Sequence, residues 1–387
     1  MKVLYILHAT IMGGATISFL KMIEGLRLKG VEAYVVIPSH DEEFEERARS
    51  VSANVLIAPQ KMSILAKRKD GFSNRLEYVI KFPYRCTKIL LQRRKNGKSL
   101  CALIESVRPD IIHTNVGVIH EGYWCAKKYG IPHVWHLREY QDIDFNWVII
   151  PSKSIFKKCL KKSNVIAITK DILDYFNLSD SRRFRVIYNP ILSNSTTALD
   201  FPKKKYFLCA SRVSREKGHE DVFRCFSKFH KLFPDYRLII LGFGKGEYID
   251  YLKQLSIELG CENSIEFKGF TDDVGRYMRK AVALVVASYK EGFGRMTAEA
   301  LFYGCMVIGR NTGGTKEILD ETGGLQFSTN DELFSQMVNI VNMPEQEYRQ
   351  SIIKAQSRAK ELYSVEAHID AVDLFYKEII SANSLSK

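Results

Sequence analysis

Short apolar runs alternate with amphipathic helical stretches along the whole chain, and the alternation restarts once, after a polar break. Continuous apolar strands separated by helices belong to a parallel sheet covered on both faces. Strands are expected near Val3–Leu7, Ala33–Pro38, Asn54–Ala58, Asp110–Thr114, His133–Leu137, Asn164–Thr169 and Arg185–Asn189. Helices are expected between them near 16–29, 98–107, 120–129, 152–162 and 170–177. The break, residues 193–204, is polar and aperiodic and reads as a linker. Beyond it strands are expected near Tyr206–Ser211, Tyr236–Gly242, Ser264–Gly269, Ala283–Ser288 and Met306–Arg310, with helices near 218–232, 246–259, 272–281 and 295–304. A length of 387 residues suits two such domains. The expected organisation is α/β throughout: a Rossmann-like, doubly wound domain over 1–192, the linker, a second such domain over 205–364, and a helix over 365–387 that packs back toward the first. Doubly wound sheets bind ligands at the carboxyl ends of their strands, so the two domains are expected to face an interdomain cleft.

Composition narrows the classes. No apolar run reaches the ~18 residues of a membrane-spanning helix. The start of the chain, Met1 to His8, has no signal-peptide pattern. The eight cysteines include no C-x-x-C pair, so neither a disulfide framework nor a zinc knuckle is expected; reduced thiols in the cytoplasm fit better. The net charge is +13, and residues 61–98 concentrate it, with twelve Lys/Arg against Asp70 and Glu77. Those cations interleave with Ile64, Phe72, Tyr78, Phe82 and Leu90. A basic amphipathic stretch reads as contact with an anionic membrane surface, peripheral on its inner face, or as a solvated basic helix pair. No nucleic-acid motif accompanies it, so nucleic acid is not expected as a partner.

Three loops carry chemistry. The first strand leads into Gly13-Gly14 ahead of a helix, where backbone N–H groups can approach a phosphate. This is not G-x-G-x-x-G, which argues against a dehydrogenase. In the second half, Arg212 and Lys217-Gly218 follow the first strand; a guanidinium fork and a compact ammonium suit phosphate oxygens. The most specific signal is Glu291-Gly292-Phe293-Gly294 followed by Glu299, set between an apolar strand and a helix. Its glycines let backbone wrap a ligand, and helix-start N–H groups suit a diphosphate. Glu291 and Glu299 stand eight residues apart, placed to accept bonds from sugar and ribose hydroxyls. Solvated glutamates and loop cations are the plain alternative.

Taken in order, Gly13-Gly14, Arg212 with Lys217-Gly218, Glu291 to Glu299, and Asn311-Thr312-Gly313-Gly314-Thr315-Lys316-Glu317 resemble the retaining glycosyltransferases of family 4, which have the GT-B fold. The resemblance covers nearly the whole chain. It implies a donor diphosphate held by Arg212 and Lys217, a transferred sugar touched by Glu291, a ribose held by Glu299, and a base against the backbone near Gly269 and Phe270. Gly292, Phe293 and Gly294 would complete the donor site. His136, in Val134-Trp135-His136-Leu137, resembles the family's active-site histidine; a structural histidine is the alternative, and His113 is a second candidate. Asp142-Ile143-Asp144 is formally D-x-D, the metal motif of an unrelated glycosyltransferase fold, and is read as non-metal.

The resemblance implies a hexosyltransferase that needs neither metal nor cofactor and moves sugar from a UDP- or GDP-sugar to a carbohydrate or lipid-linked acceptor, in bacterial surface-polysaccharide synthesis. Arg212, Lys217 and helix N–H groups would stabilise charge on the departing diphosphate. No carboxylate nucleophile stands out; front-face attack, with the departing phosphate accepting the acceptor's proton, is what the resemblance implies, with domain closure bringing acceptor to donor. A nucleotide-sugar epimerase, a phosphorylase and a noncatalytic nucleotide-sugar-binding protein of the same fold are the competing readings.

Overall fold

The computed structural model describes residues 1–67, 72–143, 147–195 and 199–384. Arg68, Lys69, Asp144 and linker residues 196–198 lie outside the described residues, as does the side chain of Arg75.

The first run of elements is β1 (Lys2–Ile6), α1 (Gly14–Leu28), β2 (Glu32–Ile37), α2 (Glu42–Ser50), β3 (Asn54–Ile57), β4 (Ile64–Ala66), α3 (Phe72–Val107), β5 (Ile111–Thr114), α4 (Glu121–Tyr129), β6 (His133–Leu137), β7 (Trp147–Ile149), α5 (Lys153–Leu160), β8 (Asn164–Ala167), α6 (Lys170–Tyr175) and β9 (Phe184–Val186). The second run is β10 (Tyr206–Ala210), α7 (His219–Leu232), β11 (Arg237–Leu241), α8 (Gly246–Glu258), β12 (Ile265–Gly269), α9 (Val274–Lys280), β13 (Ala283–Val286), α10 (Arg295–Phe302), β14 (Met306–Arg310), α11 (Gly313–Thr322), β15 (Leu325–Phe327), α12 (Asn330–Asn342), α13 (Glu345–Tyr363) and α14 (Val365–Ser384).

Two compact units result: Met1–Pro190 with His368–Lys387, and Ile191–Ala367. The first has a parallel sheet in the order β3-β2-β1-β5-β6-β8-β9, the second one in the order β12-β11-β10-β13-β14-β15. Each order reverses once, between β1 and β5 and between β10 and β13. At such a switch the connections leave in opposite directions and open a crevice at the strands' carboxyl ends. The strands explain their own burial: Val3, Leu4, Tyr5 and Ile6 are all fully buried, as a strand covered on both faces requires. Side-chain caps start several helices, Asp41 for α2, Ser152 for α5 and Thr169 for α6, each accepting a backbone N–H that the helix leaves unpaired.

Helices α2, α11 and α12 and strand β15 were not among the expected elements, and three further features differ. Helix α3 runs for 36 residues where only 98–107 was expected. β4 and β7 form a small antiparallel pair outside the main sheet. Within the expected linker, Leu199 and Phe201 pack on the second core, and Lys203 Nζ donates to the carbonyls of Arg279 and Gly304 at 2.6 and 2.7 Å. That stretch is polar in composition but anchored by its few apolar residues.

Candidate active site

The switch point of the second sheet carries the cation–carboxylate group. β10 ends at Ala210, and the chain turns through Ser211 and Arg212 into a single 3-10 turn, Arg215–Lys217. Gly218 then starts α7 with φ +70°, and a Cβ there would lie 2.2 Å from the carbonyl oxygen of Ala287, so only glycine fits. This close crossing brings Lys217 to the loop after β13. Lys217 Nζ pairs with Glu291 Oε1 at 2.5 Å, and Ser288 Oγ donates to the same oxygen at 2.8 Å. Both bonds fall on Oε1, and among the described residues Oε2 has no partner. Lys217 and Glu291 are about one-fifth exposed. Arg212 is well exposed and, among the described residues, pairs with Glu216 at 2.8 Å, an exposed i,i+4 contact that is weak and readily exchanged. These residues line a cavity of about 360 Å³ together with His219, Arg295 and Met296.

Gly294, with φ +88°, turns the chain into α10, and no side chain caps that helix start. Its first-turn N–H groups add positive potential where the cations already stand. Gly314 N–H donates to the carbonyl of Glu291 at 2.8 Å, fastening the start of α11 behind the same loop. A Cβ on Gly314 would lie 2.1 Å from the carbonyl oxygen of Phe293. Glu299, on α10, lies 3.6 Å from Arg295 Nε one turn earlier.

The other donor-site residues divide. Phe270 is exposed and stacks on Phe243, with centroids 4.9 Å apart and planes 6° from parallel. This flat apolar shelf lies beyond β11 and β12, next to Gly269. Phe243 was missed from the sequence; its signal was an aromatic between Gly242 and Gly244 just past a strand. The Phe293 ring is buried against Tyr363, so only its backbone can serve a ligand. Tyr363 belongs to α13, which covers the ring. Gly13 has extended backbone and open space where a Cβ would stand, so nothing in the fold demands glycine there; Gly14 opens α1.

In the first unit, His136 sits as the structural alternative would place it. It is wholly buried within β6, and its ring meets those of His113 and His368 at 5.3 and 6.3 Å. The last helix, α14, lays His368 over it. Burial, then the nearby Arg138, hold the His136 pKa well below its ordinary value. His113 is equally buried, with Nδ1 2.5 Å from Tyr376 Oη. The side chain that emerges at the carboxyl edge is Arg138, two residues on, missed because a lone Arg-Glu after a strand carries no pattern. Asp142 accepts from Tyr175 Oη at 2.6 Å and pairs with Lys153 at 3.3 Å, a structural use. Among the described residues no cluster of three or more His, Cys, Asp or Glu is placed to hold a metal ion.

Comparison with known proteins bears on this arrangement. The model of glycosyltransferase family 4 matches residues 12–192, and that of glycosyl transferases group 1 matches residues 195–358. The chain is 28% identical over 160 residues to the poly(glycerol-phosphate) alpha-glucosyltransferase of Bacillus subtilis, 40% of this chain but 24% of that protein's length. It is 25% identical to the alpha-monoglucosyldiacylglycerol synthase of Acholeplasma laidlawii, over 97% of this chain and 96% of that one. The solved structure of Anabaena Alr3699/HepE in complex with UDP superposes with a TM-score of 0.76 at 18% identity, covering 99% of this chain and 100% of that one. Two parallel-sheet domains of this order have the GT-B fold, and the two matching models make the chain a glycosyltransferase. The chain belongs to the family 4 glycosyltransferases.

Proposed function

We propose that this glycosyltransferase is a retaining, metal-independent hexosyltransferase using a UDP- or GDP-sugar, with a carbohydrate or lipid-linked acceptor, in bacterial surface-polysaccharide or glycolipid synthesis. The observation that carries the reading is the Lys217–Glu291 pair beside Arg212 at the uncapped start of α10. As the bond from anomeric carbon to phosphate oxygen breaks, negative charge grows on the β-phosphate. Arg212, Lys217 and the α10 N–H groups meet that charge from fixed positions, the part a divalent cation plays elsewhere. Glu291 Oε2 holds a hydroxyl of the sugar. The acceptor oxygen bonds the anomeric carbon on the face the phosphate leaves, and its proton passes to that phosphate oxygen. Retention accords with the names of the two relatives, which record α-glucosyl products. A UDP-sugar accords with the UDP held by HepE. His136 serves by position, backing Arg138 at 3.5 Å, rather than by touching sugar.

The lipid-linked acceptor and a peripheral membrane location draw support from α3 and from the diacylglycerol relative. Among the described residues no helix is long and apolar enough to cross a membrane. Helix α3 instead exposes Ile80, Tyr84 and Leu91 among Lys81, Arg85, Lys88, Lys95 and Lys98.

Incubation with UDP-, GDP- and ADP-sugars tests the reading through slow donor hydrolysis, with and without EDTA. Hydrolysis of a UDP- or GDP-sugar that EDTA leaves unchanged is expected. Absence of hydrolysis for every donor overturns the transferase chemistry, and loss with EDTA overturns metal independence.

A further inference from the structure

At the carboxyl edge of the first sheet stands a cation that no described carboxylate pairs with. Arg138 follows β6, Asn115 follows β5, and Asn189 lies just past β9. Arg138 Nε and Nη2 donate to Asn115 Oδ1 at 3.2 and 2.8 Å, and Nη1 donates to Asn189 Oδ1 at 2.7 Å. Nη2 also lies 3.5 Å from His136 Nδ1. Among the described residues no carboxylate comes within ion-pair distance of this half-buried guanidinium; Glu139 acts on it only at longer range. Behind it stand His113, His136 and His368, all buried and held neutral, since burial and the Arg138 charge depress their pKa values. A guanidinium removed from water normally takes a carboxylate, because an unpaired charge there is costly. Two neutral amides fix this one in place and leave its charge intact.

The amides do more than hold it. Each spends its oxygen on Arg138, so each NH2 group faces away with its donors unused among the described residues, and neither nitrogen is among the buried unpartnered atoms. One Nη1–H of Arg138 is unspent too. Three donor groups and one net positive charge therefore stand together at this edge, against a single spare lone pair on Asn189 Oδ1. From this we infer that Arg138, Asn115 and Asn189 form a phosphoryl-recognition point on the first domain, so that the acceptor carries a phosphate group. The inference rests on the transferase reading above and adds the acceptor's chemical class. A phosphoryl group suits the site because its several oxygens can engage a charged fork and two amides together.

Asn115→Asp is the discriminating variant, since it keeps the side chain's shape but sets a carboxylate on the guanidinium. Glycerol 3-phosphate and, separately, phosphatidic acid in neutral-detergent micelles are titrated by calorimetry into the wild type, Asn115→Asp, Arg138→Gln and an Arg212→Ala/Lys217→Ala double variant. UDP is titrated in parallel. Saturable binding of one phosphate probe is expected in the wild type and the double variant. It should weaken on the order of tenfold or more in Asn115→Asp and Arg138→Gln, as loss of a charge-assisted bond implies. UDP affinity should not change in Asn115→Asp, whose melting temperature should hold or rise. The tighter of the two probes identifies a soluble or a lipid source. Should Arg138→Gln not fold, Asn115→Asp alone decides. Failure of both probes to bind the wild type, or their undiminished binding to Asn115→Asp, overturns the inference. Failure of UDP to bind the wild type overturns the donor-site reading instead.

Discussion

At the scale of single residues, the Glu291 carboxylate is engaged on one side: Oε1 holds Lys217 and Ser288 in place, which leaves Oε2 for the proposed sugar hydroxyl. Glu291→Gln keeps the size and one acceptor oxygen but loses the charge that orders Lys217. Turnover should fall by about 100-fold or more, while UDP, held mainly by the cations, should bind within about threefold of the wild type. Comparable loss of both would show that Glu291 acts on the nucleotide. Two glycines make a second contrast. Gly218→Ala forces a Cβ against the Ala287 carbonyl at a positive φ and should cost at least about 2 kcal/mol in urea denaturation. Gly13→Ala meets open space and should cost within about 1 kcal/mol, yet lower activity if a ligand approaches that backbone. Equal destabilisation would remove the distinction. Lys217 and Glu291 are 74 residues apart in sequence but were readable together, because each sits in a loop between an apolar strand and a helix start. Asn115, Arg138 and Asn189 were not readable, since amides and a lone arginine in three loops share no spacing.

At the scale of elements, α3 shows why a helix can hide. Its inward stripe includes Cys86, Ile89, Arg93, Asn96 and Leu100, so apolar periodicity is broken by an arginine and an asparagine, and Pro83 lies within it. Arg93 Nη1 donates to Ser63 Oγ at 3.1 Å, which keeps a cation on the covered side. The outward stripe sets cations beside Ile80, Tyr84 and Leu91. Replacing Lys81, Arg85 and Lys88 together by Glu should remove at least about 3 kcal/mol of attraction to an anionic surface, on the order of a hundredfold. Flotation with phosphatidylglycerol vesicles would read this, with donor hydrolysis unchanged. Undiminished flotation would exclude α3 as the contact. The strands were far more legible: β6 runs over His133–Leu137 as expected, because five consecutive buried positions leave little room for another reading.

For the whole molecule, six buried histidines set a pH limit. His120 and His133 are pushed down to about 3 and His368 to about 4, chiefly by burial, and His113, His136 and His219 are lowered too. They are neutral in the folded chain but charge in the unfolded chain below about 6.5. Their stabilisation is therefore complete above pH 6.5 and declines as pH falls toward the folded values, by up to about 1.4 kcal/mol per pH unit for each. The urea midpoint should fall steadily from pH 7 to pH 5; a flat profile would contradict the burial of these rings. The two-sheet architecture was legible because the strand–helix alternation restarts, whereas the cover that α14 gives His136 depends on a contact 232 residues away that no local pattern carries. The central claim is that Arg212 and Lys217 grip the donor's diphosphate. Calorimetric titration of UDP into the wild type and Lys217→Ala, in EDTA, tests it most directly. Saturable binding that weakens about tenfold or more in the variant is expected; equal affinity in both, or no binding in the wild type, would contradict it.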